Sequence, residues 1–138
     1  MRCYEHFNAR DPEGMAAAFN FPHVRLAKGH FTHIETRDQF IERQRVVSDL
    51  LVEEGWDHTV IEAMRVVHAG PDKVHLDLEY TRREASGRPY TRFKTLWIAT
   101  CLDGHWGIQF RSSYLESRAS TLGPENGGGE AGRPVADR

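Results

Sequence analysis

The pattern of hydrophobic and polar residues changes at about Trp56. Between Thr36 and Gly55, apolar side chains recur at the spacing of one helix face, whereas from residue 57 to residue 113 apolar and polar residues alternate. A repeat near 3.6 residues indicates an amphipathic helix, and a repeat of two indicates a strand with one buried face. The order of these patterns predicts an α+β fold, in which helices cover an antiparallel sheet.

Local signals mark where the helices begin and end. Asp11 followed by Pro12 predicts a short helix over "PEGMAAAF", because Asp caps helix N-termini and Pro suits the first helical position. The preceding "RCYEHFNA" is predicted to be the remainder of another short helix. Thr36 and Gln39 form a capping box, and Gly55 can end a helix in the left-handed conformation. The long helix is therefore predicted to run to about residue 54.

Turn residues divide the rest of the chain into strands. The segments "HVRLA" and "HFTHI" flank Lys28-Gly29 and are predicted to form a small hairpin. Three further turns are rich in Gly, Pro, Asp and Ser, which is typical of strand connections. They separate a predicted four-stranded meander over residues 57–68, 73–82, 89–101 and 105–113.

The turns also predict the register of the sheet, because a hairpin turn fixes which residues lie opposite each other. The three registers pair Trp97 with Phe110, Leu78 with Phe93, and Val66 with Leu76. All six side chains then share one face, which we expect the helices to cover. The opposite face collects Asp77 between Arg65 and Lys94, and opposite charges on neighbouring strands favour this pairing.

Composition excludes several classes of protein. The 138 residues predict one domain over 1–115, followed by a disordered tail over 116–138 that is rich in Gly, Pro and charge. The net charge is −2 without a basic block, which argues against nucleic acid, and no apolar run is long enough for a membrane span. The N-terminus does not resemble a signal peptide, and Cys3 and Cys101 make no disulfide framework, so we expect a cytoplasmic protein.

Helices followed by a long meander resemble the NTF2-like (SnoaL-like, cystatin-like) α+β cone. The segments "FNARDPEGMAAAF" and "FPHVRLAKGHFTHIETRDQF" resemble the helical opening of that family and its first hairpin running into the long helix. The segments "GWDHTVIEAMRVVHAGPDKVHLDLEYTRR" and "LWIATCLDGHWGIQFRSS" are similar to a bacterial subgroup of uncharacterised nuclear-transport-factor-2-like proteins. The resemblance implies a curved sheet around a conical pocket, in a family of isomerases, dehydratases, cyclases, hydrolases and non-catalytic binding domains.

Polar residues on the predicted inner face are candidates for catalysis, because buried polar groups need partners or a purpose. The registers place Glu62 opposite Tyr80, with His58 and His68 on the same face. A carboxylate in an apolar site can act as a general base, and a tyrosine hydroxyl can polarise a carbonyl. The alternative is that Glu62 and Tyr80 lie at a solvated rim.

His23 and Arg25 in "FPHVR" form a second candidate pair. In the family this segment runs near the mouth of the cone, where His23 could shuttle a proton and Arg25 could anchor the carboxylate of a small acidic substrate. The alternative is a structural His bonded to the backbone and an Arg in a surface ion pair. Strand alternation would place both residues opposite to Val24 and Leu26, which favours that alternative.

The remaining predicted site residues form the wall of a ligand pocket. They are Val60, Met64, Leu78, Phe93, Thr95, Trp97, Phe110 and Ser112. We expect no metal, since His30 and His33 fall on opposite faces of a hairpin and His58 and His68 are too far apart to share an ion. No motif for a cofactor is present either.

Residues on the predicted outer face of the sheet suggest a surface that binds a partner. Leu96 and Ile98 lie there beside Gln109 and Arg111, and adjacent aliphatic side chains on a solvated face suggest a homodimer. Two classes of function stay open: a cofactor-independent acid–base enzyme acting on a small, mostly apolar substrate, or a non-catalytic ligand-binding or dimeric interaction module. The fold does not choose between them.

Overall fold

The computed structural model describes residues 6–115 of the chain. The predicted tail over 116–138 and the start of the predicted first helix lie outside the described residues. Residues 6–8 are helical. The elements that follow are α1 (Pro12–Ala16), β1 (Phe19–Ala27), β2 (His30–Ile34), α2 (Arg37–Glu54), β3 (His58–Ala69), β4 (Lys73–Arg83), β5 (Pro89–Leu102) and β6 (His105–Ser113).

The predicted helix ends of α2 and the predicted start of α1 are confirmed. Asp11 caps α1 with a side-chain hydrogen bond of 3.0 Å. The Thr36 hydroxyl caps α2 by accepting a hydrogen bond from the backbone N–H of Gln39 at 3.2 Å. Gly55 ends α2 with a φ of 109°, the left-handed conformation that favours glycine. These local signals depend on near neighbours in sequence, so they could be identified from the chain alone.

One mixed sheet of six strands forms the body of the fold, in the order β2-β1-β6-β5-β4-β3. Neighbouring strands are antiparallel except β1 and β6, which are parallel. The sheet is curved and the helices complete an α+β cone, as predicted. The parallel pair joins the predicted hairpin to the predicted meander and begins with Phe19 opposite Ile108. Phe19 therefore belongs to β1, and its predicted place at the end of the short helix is wrong.

Gly107 permits the close approach of β6 to the start of β1. A Cβ at this position would lie 2.6 Å from the carbonyl carbon of Phe19 and 2.8 Å from the backbone nitrogen of Asn20. Backbone atoms cannot rotate away from such a contact. The next residue, Ile108, donates its N–H to the carbonyl oxygen of Ala18 at 2.9 Å. A side chain at Gly107 would therefore separate the two strands where their pairing begins.

The predicted faces of β4 and β5 are confirmed, although one register is shifted. Val66 lies opposite Leu76 as predicted. Phe93, however, lies opposite Tyr80 instead of Leu78. A shift by two residues leaves every side chain on its own face. The pair that closes the loop is Arg83 with Pro89, and an extra residue between Pro89 and Thr91 completes the shift.

A bulge in β6 inverts the second half of that strand. The observed pairs are Ala99 with Ile108, Ile98 with Phe110, and Trp97 with Arg111. Gln109 is the extra residue, so the side chains beyond it take the face opposite to the predicted one. Phe110 and Ser112 therefore face outward, and their predicted place in the pocket wall is wrong. Arg111 faces inward, and its predicted place on the outer surface is also wrong.

Two bulges in β3 turn further predicted site residues outward. The pairs on either side of the first bulge are Ile61 with Tyr80 and Ala63 with Glu79. Glu62 is the extra residue, so the inner and outer positions in the part of the strand before it are exchanged relative to the prediction. His58 and Val60 therefore face outward with Glu62, and the predicted inner position of all three is wrong. The second bulge places His68 opposite His75 on the outer face as well.

The core lies between the inner face of the sheet and the helices. Leu78 and Trp97 from the sheet are 1% and 3% exposed, and Phe40 from α2 is 1% exposed. The rings of Phe19 and Phe40 pack with their centroids 4.5 Å apart. Full burial of one such side chain stabilises a fold by roughly 1.5–3 kcal/mol. This packing holds α2 against β1 and leaves a cavity beside it.

Candidate functional site

A cavity of about 40 Å³ lies between α2, the N-terminal helical residues and the inner face of the sheet. Its apolar wall consists of Phe7, Met15, Phe19, Ile34, Phe40, Val47 and Trp97. Its polar wall consists of Arg25, Arg43, Gln44, Tyr80, Arg82 and Arg111. This volume is enough for about three water molecules, which corresponds to a few heavy atoms of a ligand. Arg43 is exposed at the rim, so a larger ligand could extend toward solvent there.

The polar wall of the cavity is cationic. Arg25 and Arg111 are Cα partners on the parallel strands β1 and β6, which brings their side chains to the same side of the sheet. Arg82 follows Tyr80 by two residues on β4 and shares its face, and Arg43 comes from α2. No Asp or Glu lines the cavity in the part of the chain that the structure describes. Four guanidinium groups thus surround a small space without a facing carboxylate.

Arg25 carries the clearest electrostatic signature of this arrangement. Burial, and next the positive charge of Arg111, lower the pKa of Arg25 to about 9. Arg82 and Arg43 lower it further, while Tyr80 raises it. The Nε atom of Arg25 is buried without a hydrogen-bond partner among the described residues. A buried donor without an acceptor is unfavourable by roughly 1–3 kcal/mol, so an anion at this place would be stabilising.

Arg82, on β4, also has a buried guanidinium nitrogen without a hydrogen-bond partner among the described residues. Its guanidinium carbon lies 4.4 Å from the centroid of the Phe93 ring, a cation–π contact that fixes the plane of the group. Phe93 therefore acts as a support for Arg82. Its predicted role as a pocket wall is replaced by this indirect one.

Arg111 is held by His23 and Phe19. Arg111 donates its Nε–H to Nε2 of His23 at 3.0 Å, and its guanidinium carbon lies 5.0 Å from the Phe19 ring centroid. Because Nε2 accepts this bond, the ring proton lies on Nδ1, which is 3.3 Å from the carbonyl oxygen of Ile108. Burial and then the charge of Arg111 lower the pKa of His23 to about 3. His23 is thus neutral at physiological pH and orients a cation.

The structure brings two of the predicted site residues to the cavity, Tyr80 and Trp97. Leu78 and Thr95 share the inner face but are buried in packing, and Thr95 bonds to Ser113 through a 2.8 Å contact between hydroxyls. Met64 also faces inward but is 51% exposed at the uncovered end of the sheet. His23 lies directly behind Arg111, is completely buried, and does not line the cavity.

Glu62 and His58 are removed from the cavity. The Glu62 carboxylate accepts hydrogen bonds from Arg83 at 2.7 Å and from the Thr81 hydroxyl at 2.8 Å. The bond from Arg83, then the one from Thr81, lowers the pKa of Glu62 below its usual value. His58 contacts the carboxylate of Asp57 at 2.8 Å. The predicted pairing of Glu62 with Tyr80 as base and hydroxyl donor is therefore wrong.

Three of the four arginines were not identified from the sequence. Arg82 could have been found, because it shares the parity of Leu78 and Tyr80 on β4. Arg111 could not, because the bulge at Gln109 inverts its face. Arg43 lies on a helix whose polar residues give no signal of a site. Arg25 was a candidate, but the alternation argument placed it away from the pocket, and the opposite is observed.

No three His, Cys, Asp or Glu side chains between residues 6 and 115 are close enough to hold a metal ion together. Within the same range, no helix has the length and apolar character needed to cross a membrane.

Comparison with known proteins decides the family. The sequence model of the family described as NTF2-like protein (DUF6841) matches residues 2–112. The chain belongs to this NTF2-like family. The predicted resemblance is thereby confirmed. None of the curated proteins matches the NTF2-like chain in sequence.

Solved structures agree with the NTF2-like assignment. An NTF2-like protein with a cystatin-like fold from Novosphingobium aromaticivorans has 13% identity and a TM-score of 0.67, covering 86% of this chain and 78% of that one. A domain of unknown function with a cystatin-like fold from Nostoc punctiforme has 17% identity and a TM-score of 0.64, covering 88% and 73%. An NTF2-like protein of unknown function from Shewanella oneidensis has 11% identity and a TM-score of 0.64, covering 83% and 91%. At these identities the likeness concerns the fold alone.

Proposed function

We propose that this NTF2-like chain binds a small organic anion in its arginine-lined cavity. The observation that supports the proposal is the set of four arginines in the cavity wall, which includes no Asp or Glu from residues 6–115. Arginine is suited to this role because its planar guanidinium group matches carboxylates and phosphates and is weakly hydrated. The aromatic and aliphatic wall, including Phe40 and Trp97, suits the carbon skeleton of the same ligand.

Binding without catalysis accounts for the cavity better than acid–base chemistry does. Arginine stays protonated at neutral pH and so does not serve as a general base, and a pKa of about 9 leaves Arg25 charged as well. His23 is neutral but is fully buried behind Arg111. Tyr80 is the described lining residue that could polarise a substrate carbonyl, and the carboxylate predicted to work with it lies elsewhere. Catalysis by Tyr80 is therefore the second candidate.

A matched ligand pair tests the proposal. Succinamate and succinamide have nearly the same shape, but the first carries one negative charge and the second none. Calorimetric titration should show binding of succinamate at least about tenfold tighter than binding of succinamide, a difference of about 1.4 kcal/mol. Equal affinities, or no binding of either, would contradict the proposal.

Substitutions locate the binding site. Arg111→Gln should abolish the preference for succinamate, because it removes one cation from the cavity while leaving a polar side chain. Arg65→Gln is the matched control, since Arg65 pairs with Asp77 on the outer face at 3.0 Å. If both variants weakened binding equally, the anion would bind by general electrostatic attraction outside the cavity.

We also propose that the outer face of the sheet contacts a second copy of the chain. Leu96 and Ile98 lie on this face, and the bulge in β6 adds Phe110 opposite Ile98. All three are partly exposed. Gln109 stays part of the proposed surface through its contact with Thr100 at 2.8 Å, whereas Arg111 does not. Light scattering should give a dimer for the native chain and a monomer for Ile98→Glu; a monomeric native chain would contradict this proposal.

A further inference from the structure

We infer that the ligand is a dianion with two separate negative groups, of the dicarboxylate class. The inference rests on the proposed anion binding and extends it from the sign of the charge to the number and spacing of the charges. It depends on where the arginines originate in the sheet. Arg111 lies opposite Trp97, and Arg82 lies opposite Thr91, so their positions are six residues apart along β5.

This separation places the cations at two ends of the cavity. Six residues of strand correspond to about 20 Å between backbone positions. Both side chains nevertheless line the same cavity, so Arg82 and Arg111 approach it from opposite directions along the strand. One carboxylate fits one guanidinium fork well. Two forks that converge from opposite directions match two carboxylates joined by a short carbon chain. The enclosed space holds only a few heavy atoms, so part of such a ligand would extend toward solvent past the exposed Arg43.

The unpaired donors follow the same division. At one end, Arg25 and Arg111 are neighbours on β1 and β6, and the Nε of Arg25 has no partner among the described residues. At the other end, the Nε of Arg82 is also buried without a partner in that range. Each end thus offers a donor that a carboxylate oxygen could accept. Trp97, opposite Arg111 on β5, also lines the cavity, and its ring suits the carbon chain of such a ligand.

The charge balance points in the same direction. A monoanion carries one negative charge, whereas four arginines and no Asp or Glu among residues 6–115 line the cavity. Like charges close together in a partly buried site repel each other. A second negative group adds favourable interactions at the far end without new contacts elsewhere. We therefore expect affinity to depend on the number of charges in ligands of equal shape.

Three ligands of nearly the same shape test the inference at about pH 8, where free carboxyl groups are ionised. Succinate carries two charges, succinamate one and succinamide none. Calorimetric titration should show succinate binding at least about tenfold tighter than succinamate. Equal binding of succinate and succinamate, with both tighter than succinamide, would overturn the dianion and preserve the anion site. Equal binding of all three would overturn both.

Ethyl phosphate distinguishes separate charges from concentrated ones, because it carries two charges on one group when fully ionised. If ethyl phosphate bound tighter than succinate, the requirement for two separate groups would be wrong. Arg82→Gln should reduce the preference for succinate over succinamate to about onefold while succinamate still binds. Arg92→Gln removes an outer-face partner of Glu79 and should leave the preference for succinate over succinamate unchanged. If Arg82→Gln kept the full preference, Arg82 would not be the residue that binds the second carboxylate.

Discussion

His23 and Arg111 share a hydrogen bond of 3.0 Å, in which the imidazole accepts and the guanidinium donates. His23 is fully buried, whereas Arg111 faces the cavity. A neutral imidazole therefore positions a cation, and a protonated one would both repel Arg111 and lose the accepting lone pair. The integrity of the candidate site is thus linked to the protonation state of a residue that does not line it.

The first prediction is a loss of stability on acidification. His23 takes up a proton near pH 6.5 in the unfolded chain and at about pH 3 in the folded chain. Between these values the unfolded state binds more protons, so the stabilising effect is complete above about pH 6.5 and is lost as the pH falls. The free energy of unfolding should decrease as the pH falls below about 6.5, with a slope that approaches about 1.4 kcal/mol per pH unit near pH 5. Urea denaturation at stepped pH measures this slope.

His23→Gln is the control for that slope. Glutamine keeps a donor and an acceptor but does not titrate, so the variant should be less stable at neutral pH and nearly independent of pH between about 6.5 and 5. Glu62 and Asp11 have pKa values lowered from 4.5 and 3.8, so their effects belong to a more acidic range. The same slope in both chains would show that His23 is not its source.

The second prediction is that Arg25→Met stabilises the chain in the absence of an anion. Burial and three neighbouring arginines lower the pKa of Arg25, so its charge opposes folding below about pH 9, and this penalty is relieved above it. Replacing a buried charge with an apolar side chain of similar length is often neutral or stabilising by about 1–4 kcal/mol. The melting temperature at low salt should therefore rise, while succinamate binding is lost.

Arg65→Met is the matched control for that substitution. Arg65 lies on the exposed outer face and pairs with Asp77, so its loss should change stability little. Salt provides a second comparison, because screening weakens repulsion among the cavity arginines. Added chloride should raise the melting temperature of the native chain more than that of Arg25→Met. A decrease in stability for Arg25→Met would mean that Arg25 is compensated within the fold.

The third prediction separates the two residues of the predicted acid–base pair. Tyr80 lines the cavity, whereas Glu62 is bonded to Arg83 and Thr81 outside it. Tyr80→Phe should weaken succinate binding several-fold, because it removes a hydroxyl from the polar wall. Glu62→Gln should leave the affinity within about twofold, since a lost exposed ion pair contributes little. Calorimetry compares the affinities of the two variants for succinate. A larger loss of affinity in Glu62→Gln than in Tyr80→Phe would show that the Glu62 carboxylate contributes to the site.

The elements of this fold could be predicted from the sequence because their signals are local. Thr36 and Gln39 act within the first turn of α2 and Gly55 acts at its last turn. The alternation of Leu76, Leu78 and Tyr80 reflects a single strand. The face of Arg111 depends instead on a bulge at Gln109. That bulge lies where β6 meets β1, and β1 itself shifts register between Phe19 and Val24. Because β1 and β6 are far apart in sequence, their pairing cannot be predicted from the local pattern of either hairpin.

The candidate site was harder to predict than the fold for the same reason. A single extra residue in a strand exchanges its inner and outer side chains. The bulge at Glu62 moved a predicted base outward, and the bulge at Gln109 moved an unpredicted cation inward. Tyr80 and Trp97 lie in the stretch where β4 and β5 pair without interruption, from Lys73 opposite Thr100 to Arg82 opposite Thr91, and their inner position follows from alternation alone. The pattern thus locates a cavity but not its charge.

The fourth prediction concerns the contact that aligns β1 with β6. A methyl group at Gly107 would meet backbone atoms of Phe19 and Asn20 at 2.6 and 2.8 Å, closer than such atoms approach. Gly107→Ala should therefore separate the strands and destabilise the fold by about 2 kcal/mol or more. It should also weaken succinate binding, because Arg25 and Arg111 are brought together by the same strand pair.

Gly70→Ala is the control, because a Cβ at Gly70 would lie 3.8 Å from the carbonyl oxygen of Lys73, which is an ordinary van der Waals contact. Glycine-to-alanine substitution without strain changes stability slightly, and often favourably, through the unfolded chain. Thermal unfolding of both variants separates this general effect from the steric one. Equal melting temperatures would show that β1 and β6 can move apart without loss of stability. The pairing of these strands would then not be what holds Arg25 next to Arg111.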